Sequence, residues 1–377
     1  MKGGQVEVKP ESEPFWFAVA SPGLHLAVKE EICALLSGRA LEVTPAGVEF
    51  PASAAEVRAL LPWLRVTTRV WRRLAQTKAR AFGELERKWC TLPWVDFIPV
   101  GSRLRVDVTI HHCKLYHSGA IKERVAAAVA SSVELAKDDP NAAEVRLLVR
   151  GEHDVFQVSV DASGERLNVR GYRQEVGKAP LRETLAAGLL SLCGWRADEA
   201  LVDPMCGSGT IPIEAALRAW KIPSTARDYA MDGWPCGRGA TPMEVVGIAA
   251  RPPLLIVGAD RDSSMVQKAE RNAGRAQVDS TLRFEATPFE SLVPPAASGL
   301  VLFNPPYGHR IGNAQGMARQ FDAIGRTLSK SWRGWRAGIL LPKGAEVRGP
   351  GLKVVAKHSL SNGGLAVELV LLEIGTT

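Results

Sequence analysis

The chain has 377 residues, 46% hydrophobic and 23% charged, which excludes a disordered segment or a disulfide-stapled miniature and leaves room for two or three domains. No apolar run approaches the roughly 18 to 20 residues of a membrane span, and Met1 to Phe17 lacks a signal-peptide pattern, so a cytoplasmic protein without membrane contact is expected. Net charge is +7: Lys plus Arg against Asp plus Glu stands at 21 to 21 over residues 1–165 and at 26 to 19 over 166–377, a surplus that suits a polyanionic partner.

Residues 15 to 50 read as strand, helix, strand: FWFAVA, then a helix from Gly23 to Leu36 with Leu24, Ala27, Val28, Ile32, Leu35 and Leu36 at helical spacing, then VEF. Between Arg65 and Lys88 lie eight basic residues (Arg65, Arg69, Arg72, Arg73, Lys78, Arg80, Arg87, Lys88) against Glu84 and Glu86, either a phosphate-facing stripe or a solvated helix and strand face. A second α+β unit follows, with a strand over Arg103 to Ile110, an amphipathic helix from about Ile121 to Leu135, and two alternating strands, EVRLLVR and VFQVSVDAS, expected to pair antiparallel. From about Leu167 helices alternate with the short apolar strands ALVD, LLIVGAD, GLVLFNPP and AGILLP, the rhythm of a doubly wound, mostly parallel α/β sheet. KVVAKHSL, SNGG and LAVELVLLEI then predict an antiparallel edge.

Three strand ends carry the chemistry. LVDPMCGSGTIPIEAA joins a strand ending in Asp203 to a helix through a turn bearing Gly207 and Gly209, where backbone and ligand can approach closely. It is neither a P-loop nor G-x-G-x-x-G, and Asp-Pro-x-x-Gly-Ser-Gly-Thr fits S-adenosylmethionine better. LLIVGAD ends in Asp260, an acid placed to accept ribose hydroxyls or, alternatively, to cap the next helix. VLFNPPYGHR ends a hydrophobic strand in Asn304, Pro305, Pro306 and Tyr307; the prolines cannot continue a ladder, so nearby oxygens are free to accept the two N–H groups of an exocyclic amine while Tyr307 stacks on its base. The six cysteines form no C-x-x-C pair and are expected to be free thiols. His111, His112 and His117 cluster after a strand without a zinc-ligand set, so a solvated loop or an RNA-facing turn is expected rather than a metal site.

With LNVRGYRQEVGKAPLRETLAAGLL, DPMCGSGTIPIEAA, the GAD of Asp260 and the NPPYG of Asn304 to Gly308 in order, the chain resembles the THUMP-domain RNA methyltransferases, specifically the bacterial 23S ribosomal RNA guanine-N2 type and their transfer-RNA relatives. The resemblance implies a ferredoxin-like element (1–53), a THUMP RNA-binding domain (54–165) and a Rossmann-like class I methyltransferase (166–377) that uses S-adenosylmethionine. It places Pro180, Arg182, Glu183 and Thr184 near the methionine end of the cofactor. Asp203, Pro204, Cys206, Gly207, Gly209 and Thr210 would border the cofactor, Asp260 would hold its ribose, and Asn304, Pro305 and Tyr307 would form the pocket for the target base. One departure stands out: FEATPFE puts Ala286 and Thr287 where relatives carry an acid for the adenine amino group, so the Thr287 hydroxyl would act as a weaker acceptor. The insertion RDYAMDGWPCGRG favours 23S ribosomal over transfer RNA, with Trp234 either stacking on RNA or anchoring the insertion. At this length, the second methyltransferase domain of larger enzymes is not expected. An adenine-N6 DNA methyltransferase and a non-catalytic RNA-binding factor are the alternative readings, since N-P-P-Y serves any exocyclic amine.

Overall fold

A computed structural model describes residues 15–375 apart from 37, 38, 40, 137, 138, 178–180, 225, 226, 238–254 and 307–313. The opening strand β1 (Phe15–Val19) buries three residues in succession, Trp16, Phe17 and Ala18, because both of its faces are covered. Helix α1 (His25–Leu35) buries Ala27, Val28 and Ile32 on one face, and the hairpin β2 (Glu42–Thr44) and β3 (Gly47–Pro51) completes the first unit. Ser53 and Glu56 then close a capping box at the start of α2 (Ala54–Leu60).

The ten-residue β4 (Arg69–Lys78) pairs with β1 on one side and with β7 (Val155–Asp161) on the other. Helices α3 (Phe82–Trp89), α4 (Trp94–Phe97) and α5 (Ser118–Ala130) and strands β5 (Arg103–His111) and β6 (Glu144–Glu152) complete this part. One seven-stranded sheet results, ordered β2-β3-β1-β4-β7-β6-β5, and it runs without a break across residues 53–54. β6 and β7 pair antiparallel as expected, whereas β5 and β6 are parallel, because α5 carries the chain across between them. That helix also starts three residues earlier and ends five residues earlier than its hydrophobic spacing predicts.

The second sheet uses β8 (Leu201–Asp203), β9 (Ile256–Ala259), β10 (Leu282–Glu285), β11 (Leu300–Phe303), β12 (Arg336–Pro342), β13 (Leu352–Asn362) and β14 (Leu365–Ile374) in the order β10-β9-β8-β11-β12-β14-β13. Helices α6 (Glu183–Leu192), α7 (Thr210–Ala219), α8 (Ser263–Arg275) and α9 (Ala314–Ser331) accompany it. β10 through β12 are parallel, and β13 and β14 form the antiparallel edge. β8, β9 and β11 are buried throughout, which is why they read as continuous apolar runs. From β8 the chain moves outward to β9 and β10, then returns to the other side of β8 with β11. The carboxyl ends of β8 and β11 therefore flank the switch point where such sheets bind ligands, and Asp203 and Asn304 stand there.

Candidate active site

Asp203 ends β8 fully buried, with Oδ1 accepting from the Met205 amide at 3.1 Å. Burial, and then the nearby Asp260 charge, raises its carboxyl well above the usual aspartate range. Pro204 is buried behind it, and Thr210 begins α7. The two turn glycines have different reasons to be glycine. Gly209 has φ +83°, and a Cβ there would lie 2.9 Å from Ala269 Cβ, so its bareness lets α8 pack against the turn. Gly207, at φ +54°, has open space beside it, with Met265 Cε the nearest atom at 3.8 Å. A side chain on Gly207 would fill a cradle rather than strike the fold.

Asp260 follows β9, and its carboxylate accepts from the Gly207 amide and the Asp262 amide, both at 3.0 Å. The cap of α8 is Asp262, whose side chain accepts from the Ser264 amide, so the capping alternative for Asp260 falls away. Cys206 is buried, and burial followed by Asp203 and Asp260 drives its thiol well above the usual range, which keeps it protonated and unsuited to nucleophilic work. Asn272 is a support that sequence reading missed. Fully buried on α8, it donates from Nδ2 to the carbonyls of Ser208 (3.1 Å) and Glu175 (2.9 Å). Its signal is a polar residue on the buried stripe Val266, Ala269, Asn272, Ala273.

The segment before α6 lies against this turn. Glu175 bridges Arg271 and Arg275 of α8, which hold its carboxyl down at about 2, and a Cβ on Gly177 would lie 2.9 Å from the same Met265 Cε that faces Gly207. Arg182 is the N-cap residue of α6, Glu183 pairs with Arg173 at 2.8 Å, and Thr184 is buried beside it. Burial raises the Glu183 carboxyl. Three polar atoms named by the sequence reading are buried without a hydrogen-bond partner: Glu183 Oε2, Thr184 Oγ1 and Asn304 Oδ1. Unfilled buried acceptors are costly, and a ligand that donates to them is the economical explanation. Pro305 is buried next to Asn304, and Thr287 is half-buried after β10, its amide bonded to the Glu285 carbonyl. Pro180 and Tyr307 lie outside the described residues.

The basic run behaves differently from either expectation, because its first half is internal. Arg65 is buried and donates to the carbonyls of Leu217 (2.9 Å) and Ile222, while Glu31 accepts from the amides of Arg65, Val66 and Thr67. Loss of solvent lowers the Arg65 guanidinium to about 10. Arg69 is spent on Asp161 and the Gly164 carbonyl, Arg73 on Glu49 and, over its face, Phe17. Glu214 of α7 accepts from Arg170 (3.3 Å) and Tyr172 (3.0 Å), and Arg58 pairs with Asp232. The bonds of Arg65 to Leu217 and Ile222 and of Arg58 to Asp232 stitch the N-terminal part to the C-terminal part, and Arg65 faces Glu214 across that seam. Trp234 belongs to the same seam: buried, it stacks 6.0 Å from Trp16 and meets Phe97 edge-on at 5.1 Å, so it anchors the insertion and is not exposed to RNA. A cleft of about 360 Å³ opens nearby, lined by Arg69, Arg105, Arg146 and Arg166 among others, and none of its lining residues belongs to the glycine turn. Among the described residues no three metal-ligating side chains converge, and no helix is long and apolar enough to cross a membrane.

Residues 170–347 match the family described as RMKL-like, methyltransferase domain, and residues 79–161 match the THUMP domain. Over 95% of its length the chain is 30% identical to "Putative RNA methyltransferase slr0064" of Synechocystis sp., covering 96% of that protein. It is 32% identical to the ribosomal RNA large subunit methyltransferase K/L of Syntrophotalea carbinolica, again over 95% of this chain but spanning only 53% of that relative. The crystal structure of SMU.472, solved in complex with SAH, superposes with a TM-score of 0.82 at 26% identity, covering 97% of this chain and 99% of the other. With the glycine turn, the acid after β9 and the Asn-Pro-Pro end of β11 gathered around one switch point, the chain belongs to the THUMP-domain RNA methyltransferases with an RMKL-like methyltransferase domain.

Proposed function

We propose that the protein methylates the exocyclic N2 of a guanine in structured RNA, using S-adenosylmethionine, with 23S ribosomal RNA as the favoured substrate. Residues 1–53, 54–165 and 166–377 would serve as ferredoxin-like element, THUMP RNA-capture domain and methyltransferase. The observation that carries the reading is Asn304 Oδ1, a buried acceptor without a donor at the end of β11. When bound, S-adenosylmethionine supplies an activated methyl group on a sulfonium sulfur. The chain's own residues bind and orient. Asp260 would accept from the ribose hydroxyls, Gly207 leaves its cradle open, and Glu183 and Thr184, each with a buried acceptor, would meet the methionine end. Thr287 would take the adenine amino group.

Asn304 Oδ1 and the Pro305 carbonyl would each accept one N–H of the target amine, and Tyr307 is assigned by its place in the motif to stack on the base. Two acceptors favour a more tetrahedral nitrogen, which draws its lone pair out of ring conjugation and toward the methyl group. This is catalysis by position and electrostatics. No base is needed to begin, because the nitrogen becomes acidic as it gains the methyl, and Cys206 stays a neutral thiol.

The reading is tested by nucleoside mass spectrometry of 23S ribosomal RNA, bulk transfer RNA and genomic DNA from cells with and without the protein. Loss of N2-methylguanosine from the ribosomal fraction is expected. Loss from transfer RNA alone would keep the chemistry and move the substrate, and loss of N6-methyladenine from DNA instead would overturn the reading.

A further inference from the structure

We propose that Met265 forms one wall of the cofactor cradle, and that Gly177, on the segment before α6, keeps that wall clear of the space beside Gly207. The inference rests on that space being the cofactor's place. It adds one residue that touches the cofactor and a second, a positioning residue, that acts through the first.

Met265, Ala269 and Asn272 stand at i, i+4 and i+7 of α8, which puts them on one face of the helix. Each meets one residue of the glycine turn. A Cβ added to Gly209 would come to 2.9 Å from Ala269 Cβ, and Asn272 Nδ2 donates to the Ser208 carbonyl at 3.1 Å. Met265 faces Gly207, and there the contact is loose: its Cε would lie 3.8 Å from an added Cβ, and beyond the adjoining residues no other described atom comes within 4 Å. Space that a side chain could enter without striking the fold is space a ligand can enter, and a ligand lying there borders the Met265 methyl. An unbranched thioether suits such a wall, because it follows an irregular outline.

The same helix fixes the segment before α6. The Glu175 carboxylate accepts from Arg271 Nε at 2.7 Å, Arg271 Nη2 at 2.6 Å and Arg275 Nη2 at 2.9 Å. Its carbonyl accepts from Asn272 Nδ2 at 2.9 Å, and its amide donates to Asn272 Oδ1 at 3.3 Å. Glu175 is thereby pinned to α8, and Gly177 follows two residues on. A Cβ on Gly177 would lie 2.9 Å from Met265 Cε and 3.7 Å from its Sδ, and would meet no other described atom within 4 Å beyond its chain neighbours. The Gly177 backbone is not left-handed, so its conformation does not call for glycine. What its bareness provides is a place for the methionine methyl.

One methyl group is thus shared by two glycines. A side chain at 177 must displace Met265 Cε, and the open space next to it is the cradle. The displaced atom is the free end of a flexible side chain, so the fold loses little and the effect falls on the ligand that shares the cradle.

The test uses the full chain, with SAH affinity by calorimetry and the unfolding midpoint of the ligand-free protein. Gly177→Ala should weaken SAH about 5- to 150-fold, the span expected for overpacking a fitted contact. Its midpoint should hold or rise slightly, as for Gly to Ala at an ordinary backbone conformation. Added to Met265→Ala, the same change should alter SAH affinity by less than about twofold, since nothing is left to displace. Gly207→Ala should lose affinity with or without Met265, because its methyl enters the cradle itself. Met265→Ala alone should weaken SAH, and Met265→Leu, which keeps an apolar wall, should recover most of that loss. If Gly177→Ala binds SAH as wild type does, or loses as much without Met265 as with it, the assignment is overturned while a loss in Gly207→Ala keeps the cradle. If Gly207→Ala is also without effect, the cradle lies elsewhere and both readings fall.

Discussion

At the seam between the sheets, Glu214 is buried yet accepts from Arg170 and Tyr172, and its second oxygen faces Arg65 Nη1 at 4.0 Å. Ser224 there donates to the carbonyls of Pro62 and Leu64. At the carboxyl ends of β8 and β11, and at the start of α6, Asn304 Oδ1, Thr184 Oγ1 and Glu183 Oε2 are as buried and have no partner. Both regions bury polar atoms without a hydrogen bond, but at the seam the two so placed, Arg65 Nη1 and Glu214 Oε2, face each other as opposite charges, whereas Asn304 Oδ1 and Thr184 Oγ1 face no such counterpart. A buried charge opposite its counter-charge fixes how two parts meet, and buried acceptors gathered at a switch point without one suit a ligand that donates to them.

The comparison breaks most sharply at the seam. Glu214→Gln leaves Arg170, whose side chain is wholly buried, without its counter-charge, and should cost about 3–5 kcal/mol, seen as a lower denaturant midpoint. An unchanged midpoint would mean that the seam is as tolerant as a surface. Asn304→Ala should have the opposite profile: methyl transfer falls by about 100-fold or more while SAH affinity and the unfolding midpoint barely move. Near-wild-type turnover in that variant would remove Asn304 from the target pocket.

How legible each region was follows from the same contrast. The site motifs announced themselves because a turn with positive φ needs Gly207 and Gly209, and a strand that stops at prolines needs a reason to stop. The parallel strands were readable as short apolar runs. The seam was not readable, because Arg65 and Arg69 look like surface charge until Glu31, Glu214 and Asp161 are known to meet them across the fold. The parallel β5–β6 pair and the place of Trp234 were hidden for the same reason: both depend on what comes from elsewhere in the chain.

Within the site, the roles of single residues separate by smaller effects. Asp260→Ala removes a charged acceptor and should weaken SAH binding by about 1.5–3 kcal/mol in calorimetry; unchanged affinity would count against the ribose role. The two glycines sharpen this further. Gly209→Ala meets Ala269 and should lower stability by about 1–3 kcal/mol, whereas Gly207→Ala, with 3.8 Å of room, should cost about 1 kcal/mol of stability and show its main effect on SAH affinity. Equal losses of stability would dissolve the distinction between a packing glycine and a cradle glycine.

The smallest effect concerns Asp203, whose folded carboxyl is raised above its unfolded value by burial and then by the Asp260 charge. Such a group stabilises the fold fully below the unfolded value of about 3.9, and its contribution is lost as pH rises through the folded value. Asn keeps an oxygen for the Met205 amide but cannot ionise. Asp203→Asn should therefore raise the melting temperature of the ligand-free protein, with a gain that grows from acidic toward alkaline pH. A gain that is flat or shrinks with pH would show that Asp203 ionises without cost. The site's second acid would then lie outside the pattern of buried groups held at a cost to the empty protein.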